Sequence, residues 1–283
     1  MQQVSPNVYV ETGLPGCNPG FVITEEGIVM IDAPQQPSDA LRWRDEIEAK
    51  GEIRYLINTE HHHDHIIGNF FFPGIVVAHQ KTRESFFSYS VDDLIDKVKA
   101  TDPNDVSLMD GYFLKKPHIT FSNNLNLYLG QHTFELIYLP GHTAGMISVY
   151  IPHERVVFTG DNVFHKVQTY LHHSYPDDWL RSLKTIENLD VDVIVPGHGK
   201  VCDKNYLKEQ ASFIEEWIEA VKEAIRNGLS KEEAKDKISF LDRYPMDIGI
   251  TEARAREVQR MNVERLYDYY ERETRFLLSP SIR

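Results

Sequence analysis

The sequence predicts an α/β fold, an αββα sandwich in which two sheets pack face to face between outer helices, followed by a helical C-terminal extension. A hairpin, a helix and a strand occur in that order in each half of residues 1–204, which indicates a weak internal duplication. From residue 205 onward the chain consists of long helical stretches rich in Glu, Lys and Arg. We therefore predict a core over residues 1–204 and a helical extension over residues 205–283.

The strands of the core are predicted from short apolar or alternating runs bounded by turn residues. In the first half they cover residues 7–11, 21–24, 28–32, 53–57 and 75–78. In the second half they cover residues 118–121, 125–129, 133–138, 146–151, 155–158 and 191–195. Residues 102–117 are expected to form an irregular connection between the two halves.

The helices are predicted from apolar residues at helical spacing and from their start and stop signals. Residues 38–50 form the first helix, with Ser38 as N-cap and Gly51 as the stop, and residues 79–99 are mostly helical. Further helices are expected over residues 179–189, 206–227, 231–238 and 251–276. We expect the extension to wall the substrate pocket or to form a homodimer contact, because its aromatic residues would be costly to expose.

Composition excludes several classes of function. Hydrophobic residues make up 41% and charged residues 26%, as in an ordinary soluble protein. The net charge of −13 argues against a nucleic-acid partner, and no apolar run approaches the roughly 20 residues of a membrane span. No secretory signal is apparent, and Cys17 and Cys202 cannot form a scaffold of disulfides. We expect a cytoplasmic protein that acts on a small molecule.

The most informative segment is Thr-Glu-His-His-His-Asp-His at residues 59–65. It directly follows the strand at residues 53–57, so it forms a loop at the end of that strand. Imidazole and carboxylate groups at this density suit zinc or a neighbouring transition metal. The alternative is a solvated polar loop that happens to be rich in histidine.

Three other apolar strands run into a glycine-containing turn with one residue that can bind a metal. These turns are Pro140-Gly141-His142-Thr143, Thr159-Gly160-Asp161-Asn162 and Pro196-Gly197-His198-Gly199. The glycines permit backbone turns that side chains would block. Because the strands of one sheet bring their ends together, we expect these residues to meet the loop at residues 59–65.

The pattern Glu60-x-His62-x-Asp64-His65, followed by His142, Asp161 and His198, resembles the metallo-β-lactamase-fold hydrolases over about residues 4–202. Asp32, at the end of the second strand of the hairpin, matches a common acidic position of that fold, where it supports the ligand loop. The resemblance implies the αββα sandwich and metal-dependent hydrolysis.

The resemblance also implies two metal sites. One would hold its ion with Glu60, His62 and His142, the other with Asp64, His65 and His198, and Asp161 would bridge both. The chain departs from the family pattern His-x-His-x-Asp-His, because Glu60 stands at the first histidine. This carboxylate would leave the ligand shell near neutral and makes iron or manganese plausible, although zinc remains the first expectation. His61 and His63 match no ligand position.

The function implied is a dinuclear hydrolase in which a metal-bridging hydroxide attacks an ester, lactone, amide or related bond. Asp64 is the candidate catalytic residue, since it can orient the nucleophile or handle its proton. Candidate substrate-binding residues follow Asp161 in the chain, unless they form a solvated loop: His165, Lys166, Tyr170, His172 and His173.

Two other interpretations stay open. Some relatives on this fold use iron, and Glu60 shifts the ligand set in that direction, so a non-haem iron oxygenase or redox enzyme is one alternative. A non-catalytic metal-binding protein is the other. The coordinating group kept at every position of the series favours two metals and the hydrolase.

Overall fold

The computed structural model describes the backbone of residues 1–278 and the side chains of residues 1–271. One sheet has seven strands: β1 (Gln2–Gln3), β2 (Val8–Val10), β3 (Gly20–Thr24), β4 (Gly27–Ile31), β5 (Ile53–Ile57), β6 (Ile75–His79) and β7 (Ile119–Phe121). These strands are hydrogen-bonded in the order of the sequence. The other sheet has five: β8 (Leu125–Leu129), β9 (His132–Tyr138), β10 (Ile147–Ile151), β11 (Val156–His165) and β12 (Val193–Gly199), in the order β12-β11-β10-β9-β8.

The helices lie between and after these strands. They are α1 (Pro37–Glu48), α2 (His63–Ile66), α3 (Gln80–Ser85), α4 (Val91–Thr101), α5 (Pro176–Glu187), α6 (Tyr206–Arg226), α7 (Lys231–Lys237) and α8 (Glu252–Leu278). Short 3-10 turns cover Ile67–Phe71, Phe86–Ser88, Pro103–Met109 and Pro152–Glu154. Within the described residues, no helix combines the length and the apolar character that a membrane span requires.

The internal duplication is visible in how the strands pair. In the first half, β3 and β4 form an antiparallel hairpin, and β5 returns parallel to β4 after α1. In the second half, β10 and β11 form the hairpin, and β12 returns parallel to β11 after α5. The predicted α/β sandwich of two sheets with helices is therefore confirmed.

Alternating apolar side chains explain why the two sheets pack together. Val29 and Ile57 of the larger sheet and Phe134, Val149 and Phe158 of the smaller one are buried in a single cluster between them. The other face of the larger sheet packs against Trp43 of α1. Each sheet thus buries one face against the other sheet and covers its second face with helices.

Several predicted boundaries differ from the structure, and each difference has a local cause. The first helix begins at Pro37 after the N-cap Gln36, because proline suits the first helical position. The expected helix over residues 79–99 is broken, since Ser90 forms a capping box with Asp93 and starts a new helix, α4. Strands β11 and β12 extend to His165 and Gly199, because they continue to pair in parallel.

The C-terminal helices pack on the outer side of the smaller sheet. Trp217 of α6 and Val263 of α8 lie in one buried cluster with Trp179 of α5 and Val163 of β11. This cluster joins the predicted extension to the predicted core. The domain boundary at residue 204 stays a prediction, and residues 279–283 lie outside the described residues.

Candidate metal centre

The metal-binding side chains come from both sheets. Glu60, His62, Asp64 and His65 follow β5 of the larger sheet, whereas His142 follows β9, and Asp161 and His198 lie within β11 and β12 of the smaller sheet. The expectation that the strands of one sheet supply all of them is therefore wrong. The residues meet because the sheets pack face to face.

One group of ligand-competent atoms is formed by Glu60, His62, His142 and Asp161. Nδ1 of His62 lies 2.7 Å from Oε2 of Glu60, and Nε2 of His142 lies 3.1 Å from Nδ1 of His62. Nε2 of His142 is also 3.6 Å from Oε1 of Glu60. These atoms point toward one another from three different loops and strands.

A second group is formed by Asp64, His65 and His198. Oδ2 of Asp64 lies 3.3 Å from Nε2 of His198 and 3.9 Å from Nε2 of His65. Asp161 lies between the two groups. One of its oxygens is 3.1 Å from Nε2 of His65, and the other is 3.3 Å from His198 and 3.5 Å from Nε2 of His142.

The polar atoms of this cluster fit divalent cations. Both carboxylate oxygens of Glu60, Nε2 of His65 and Oδ1 of Asp161 are buried, and among the described residues they make close contacts, of 2.7 Å for Oε2 of Glu60 and 3.1 Å for Oδ1 of Asp161, but no well-aligned hydrogen bond. A buried polar atom without a partner is costly, and a buried carboxylate is more so. A cation between these atoms would remove that cost, and imidazole with carboxylate is a donor set that suits zinc, iron or manganese.

Each of the four histidines uses its second ring nitrogen for a partner outside the cluster. These contacts are His62 with His173 (2.7 Å), His142 with the Tyr170 carbonyl (2.7 Å), His65 with Asp32 (2.9 Å) and His198 with Asp247 (2.6 Å). Partners of this kind fix which nitrogen carries the proton and hold the ring in orientation. The other nitrogen of each ring is thereby available to the cluster.

Asp32 occupies the supporting position that the resemblance implies. Its φ of 55° lies in the left-handed region, which a non-glycine residue adopts at a cost. The side chain accepts hydrogen bonds from the backbone nitrogen (2.8 Å) and the hydroxyl (2.6 Å) of Thr59, besides contacting His65. These bonds tie the start of the ligand loop to the end of β4.

Two glycines make room for the cluster. A Cβ on Gly197 would lie 1.9 Å from Oδ1 of Asp161, closer than non-bonded atoms can approach. Gly160 has a φ of 50°, and a Cβ there would lie 2.6 Å from the Thr59 hydroxyl. The geometry at these two positions therefore shows why glycine is needed there: a side chain would collide with Asp161 or Thr59.

The electrostatics of the cluster favour a cation. Burial would raise the pKa of Glu60, but the charges of His62 and His142 outweigh it and hold that pKa at about 2. For Asp161, burial is likewise outweighed by His198 and His65, so its pKa lies well below the usual range. The carboxylates are therefore held in the ionised form that binds a cation.

The loop after β11 places its predicted substrate residues in two different environments. The ring of His172 lies 5.7 Å from that of His62, and the ring of Tyr170 lies 6.5 Å from that of His198. His165, by contrast, contacts the Lys200 carbonyl and the Tyr206 ring, because the preceding residue, Phe164, takes the face toward His198.

Lys166 is exposed, and its backbone nitrogen donates to the Tyr206 hydroxyl. The structure thus brings Tyr170 and His172 to the cluster and does not bring His165 there. All five roles in substrate binding, including that of His173, stay predictions. His173 contacts His62, and these two histidines form a further group of ligand-competent atoms with His61.

The carboxylate that contacts His198, Asp247, was not identified from the sequence. It lies in the stretch between α7 and α8, 49 residues after its partner. An aspartate in a connecting stretch of mixed polar and apolar residues has no local pattern that marks it as part of a metal centre. Only the fold brings it there.

Comparison with known proteins identifies the family of the chain. The family model described as the metallo-beta-lactamase superfamily matches residues 12–198, a range that contains all seven residues of the two groups. The resemblance inferred from the ligand pattern is therefore confirmed.

Two curated relatives are hydrolases. The chain is 23% identical over 236 residues to a metallo-beta-lactamase type 2 of Elizabethkingia meningoseptica, covering 77% of this chain and 85% of the relative. It is 26% identical over 185 residues to a hydroxyacylglutathione hydrolase of Bartonella henselae, covering 65% and 60%.

A solved structure extends the likeness to the C-terminal helices. A metallo-beta-lactamase family protein of Thermus thermophilus matches with a TM-score of 0.70 at 16% identity, covering 96% of this chain and 95% of that one. At this identity the match concerns the fold alone.

Proposed function

The chain belongs to the metallo-beta-lactamase superfamily, and on that premise we propose that it is a hydrolase that works with two divalent metal ions, zinc first among them. The observation that carries the proposal is the convergence of two ligand groups on Asp161, with buried oxygen and nitrogen atoms left without partners among the described residues. Because Glu60 adds a hard oxygen donor, manganese and iron are the alternatives to zinc.

We assign the ligands as the resemblance implies. Glu60, His62 and His142 would hold one ion, Asp64, His65 and His198 the other, and Asp161 would contact both. When bound, such ions act as Lewis acids toward a substrate oxygen and acidify a coordinated water.

Asp64 is the residue that we propose to orient the attacking water. Its side chain is 14% exposed, more than the side chains of the other six residues, so solvent and substrate can reach it. Burial would raise its pKa, but His65 and His198 outweigh burial and keep that pKa well below its usual range. Asp64 therefore accepts hydrogen bonds as an anion at neutral pH.

Tyr170 and His172 are the side chains that we propose to contact the substrate. Burial raises the pKa of Tyr170 to about 12, so its hydroxyl keeps its proton and can donate a hydrogen bond. Burial lowers the pKa of His172, which is therefore neutral, and its Nδ1 is buried without a partner among the described residues. Two neutral groups suit the oxygen of an ester, lactone or amide. Neither group requires the substrate to carry a negative charge.

The experiment is a hydrolysis assay on protein loaded separately with zinc, manganese and iron. The panel contains an ester, a lactone, a thioester, a β-lactam, an alkyl sulfate and a phosphodiester. We expect turnover of an acyl substrate that disappears on chelation and returns when metal is restored. One relative is named a beta-lactamase and another a hydroxyacylglutathione hydrolase, so acyl compounds come first.

Two variants distinguish the metal centre from the rest of the chain. His142→Ala removes a ligand and should abolish turnover, whereas His153→Ala removes an exposed histidine on a 3-10 turn and should leave turnover unchanged. Full metal occupancy without turnover of any substrate would contradict the hydrolase and favour a metal-binding protein. Oxygen consumption by the iron form would favour the oxygenase.

A further inference from the structure

The contact between Asp247 and His198 connects the C-terminal helices to the metal centre. Oδ2 of Asp247 lies 2.6 Å from Nδ1 of His198, and both side chains are largely buried, 13% and 8% exposed. Nε2 of the same ring lies 3.3 Å from both Asp64 and Asp161. The ring therefore spans from the ligand cluster on one side to the stretch before α8 on the other.

Buried amides hold this stretch in place. The backbone nitrogen of Gln168 donates to the Pro245 carbonyl (2.9 Å), and its side chain donates to the carbonyls of Phe240 (2.8 Å) and Tyr244 (2.6 Å). Gln259 of α8 donates to the Gln168 side chain (3.1 Å) and accepts from the Phe240 nitrogen (2.7 Å). The stretch that carries Asp247 is thus anchored by hydrogen bonds to the loop after β11 and to α8.

Helix α8 also holds the loop after β11, which contacts His62 and His142 of the other ligand group. Asn262 is fully buried, and it accepts from the Leu171 nitrogen (2.7 Å) and donates to the Thr169 carbonyl (2.9 Å). Arg265 donates to the Ser174 carbonyl (2.8 Å). Helix α8 therefore binds the backbone on both sides of the turn at residues 170–173.

That turn carries the outer partners of two ligand histidines. Tyr170 supplies the carbonyl 2.7 Å from Nδ1 of His142, and His173 supplies the nitrogen 2.7 Å from Nε2 of His62. Asp247 itself supplies the outer contact of His198, and α8 holds the turn that supplies the outer contacts of His142 and His62. Residues after position 204 thus supply or hold in place three of the four outer contacts. The fourth, from His65 to Asp32, lies within the core.

We propose that the C-terminal helical segment completes the metal centre, with Asp247 as a positioning residue that orients His198 toward its ion. This inference rests on the metal binding of the proposed function. A carboxylate at Nδ1 keeps the proton on that nitrogen, leaves Nε2 free to bind, and makes the imidazole a stronger donor. Asp247 would act through His198 and would itself touch neither ion nor substrate.

The test compares Asp247→Ala and Asp247→Asn with Asp242→Ala. Asp242 is an exposed carboxylate of the same stretch and serves as the matched control. The measurements are metal affinity by competition with a chromophoric chelator and the visible absorption spectrum of the cobalt-loaded protein. Both report on the ligands without any assay of activity.

We expect Asp247→Ala to lower the affinity for one of the two ions by about 10- to 100-fold and to change the absorption spectrum of the cobalt-loaded protein. Asp247→Asn keeps an oxygen that can accept the Nδ1 proton, so we expect a smaller loss. Asp242→Ala should match the parent in both measurements. This graded series would identify orientation of the ring as the role of Asp247.

Two results would overturn the inference, and they differ in what they mean. If the parent binds two ions and Asp247→Ala keeps the parent affinities and spectrum, Asp247 has only a packing role and the proposed function stands. A parent that binds no ion overturns the proposed function and the inference with it. If Asp247→Ala does not fold, Asp247→Asn decides between the same outcomes.

Discussion

The two ligand groups have the same inner composition but different surroundings. Each contains two histidines and one carboxylate of its own, and Asp161 contacts histidines of both. The histidines of the first group contact neutral partners, the His173 ring and the Tyr170 carbonyl. The histidines of the second group contact carboxylates, Asp32 and Asp247.

The difference extends to the carboxylate that belongs to each group. Both oxygens of Glu60 in the first group are buried without a hydrogen-bond partner among the described residues, whereas Asp64 in the second group is partly exposed. We therefore expect a cation in the first group to satisfy this carboxylate. The second group is already oriented by two charged partners, so we expect it to hold its ion more tightly.

The largest expected effect comes from removing what the groups share. Asp161→Ala should lose both ions, because one carboxylate contacts histidines of both groups at 3.1–3.5 Å. Elemental analysis of the purified variant measures this directly, and Asp110→Ala, at an exposed position, is the control. Retention of one ion would show that Asp161 belongs to a single group.

A smaller effect should separate the two groups kinetically. In the parent, a chelator should remove the two ions in two phases that differ in rate by roughly 10- to 100-fold, with the ion of the first group leaving first. Asp32→Asn removes the charge beside His65 and should accelerate the slow phase alone. A single phase, or acceleration of the fast phase by this variant, would contradict the ordering.

The smallest effect concerns the identity of the metal in the first group. Glu60→His replaces a hard anionic donor by imidazole, so competition between zinc and manganese should shift toward zinc. Glu60→Gln keeps an oxygen donor and removes the charge, which separates charge from donor type. If neither variant changes the metal preference, Glu60 is not a ligand.

The convergence of the seven inner residues could be predicted from the sequence because its signals are local, whereas their roles as metal ligands stay predictions. Strand, glycine and ligand follow one another within a few residues at His142, Asp161 and His198, and the loop at residues 59–65 directly follows a strand. Residues within such a segment determine the turn and present the side chain. These assignments therefore needed no knowledge of distant contacts.

The outer part could not be predicted in the same way. Asp247 is 49 residues from His198, and Asn262 is 91 residues from Leu171. Asn262 lies on an amphipathic helix where a buried asparagine looks like any polar residue of the surface. The expectation that one sheet supplies all seven residues was wrong for a related reason, since strand patterns do not specify which strands pair.

Metal content of the parent protein, measured by elemental analysis after purification in excess zinc, tests the central claim most directly. The seven converging side chains and the atoms of Glu60, His65 and Asp161 that lack partners among the described residues predict two ions per chain. A value of one or fewer would contradict the two-ion centre.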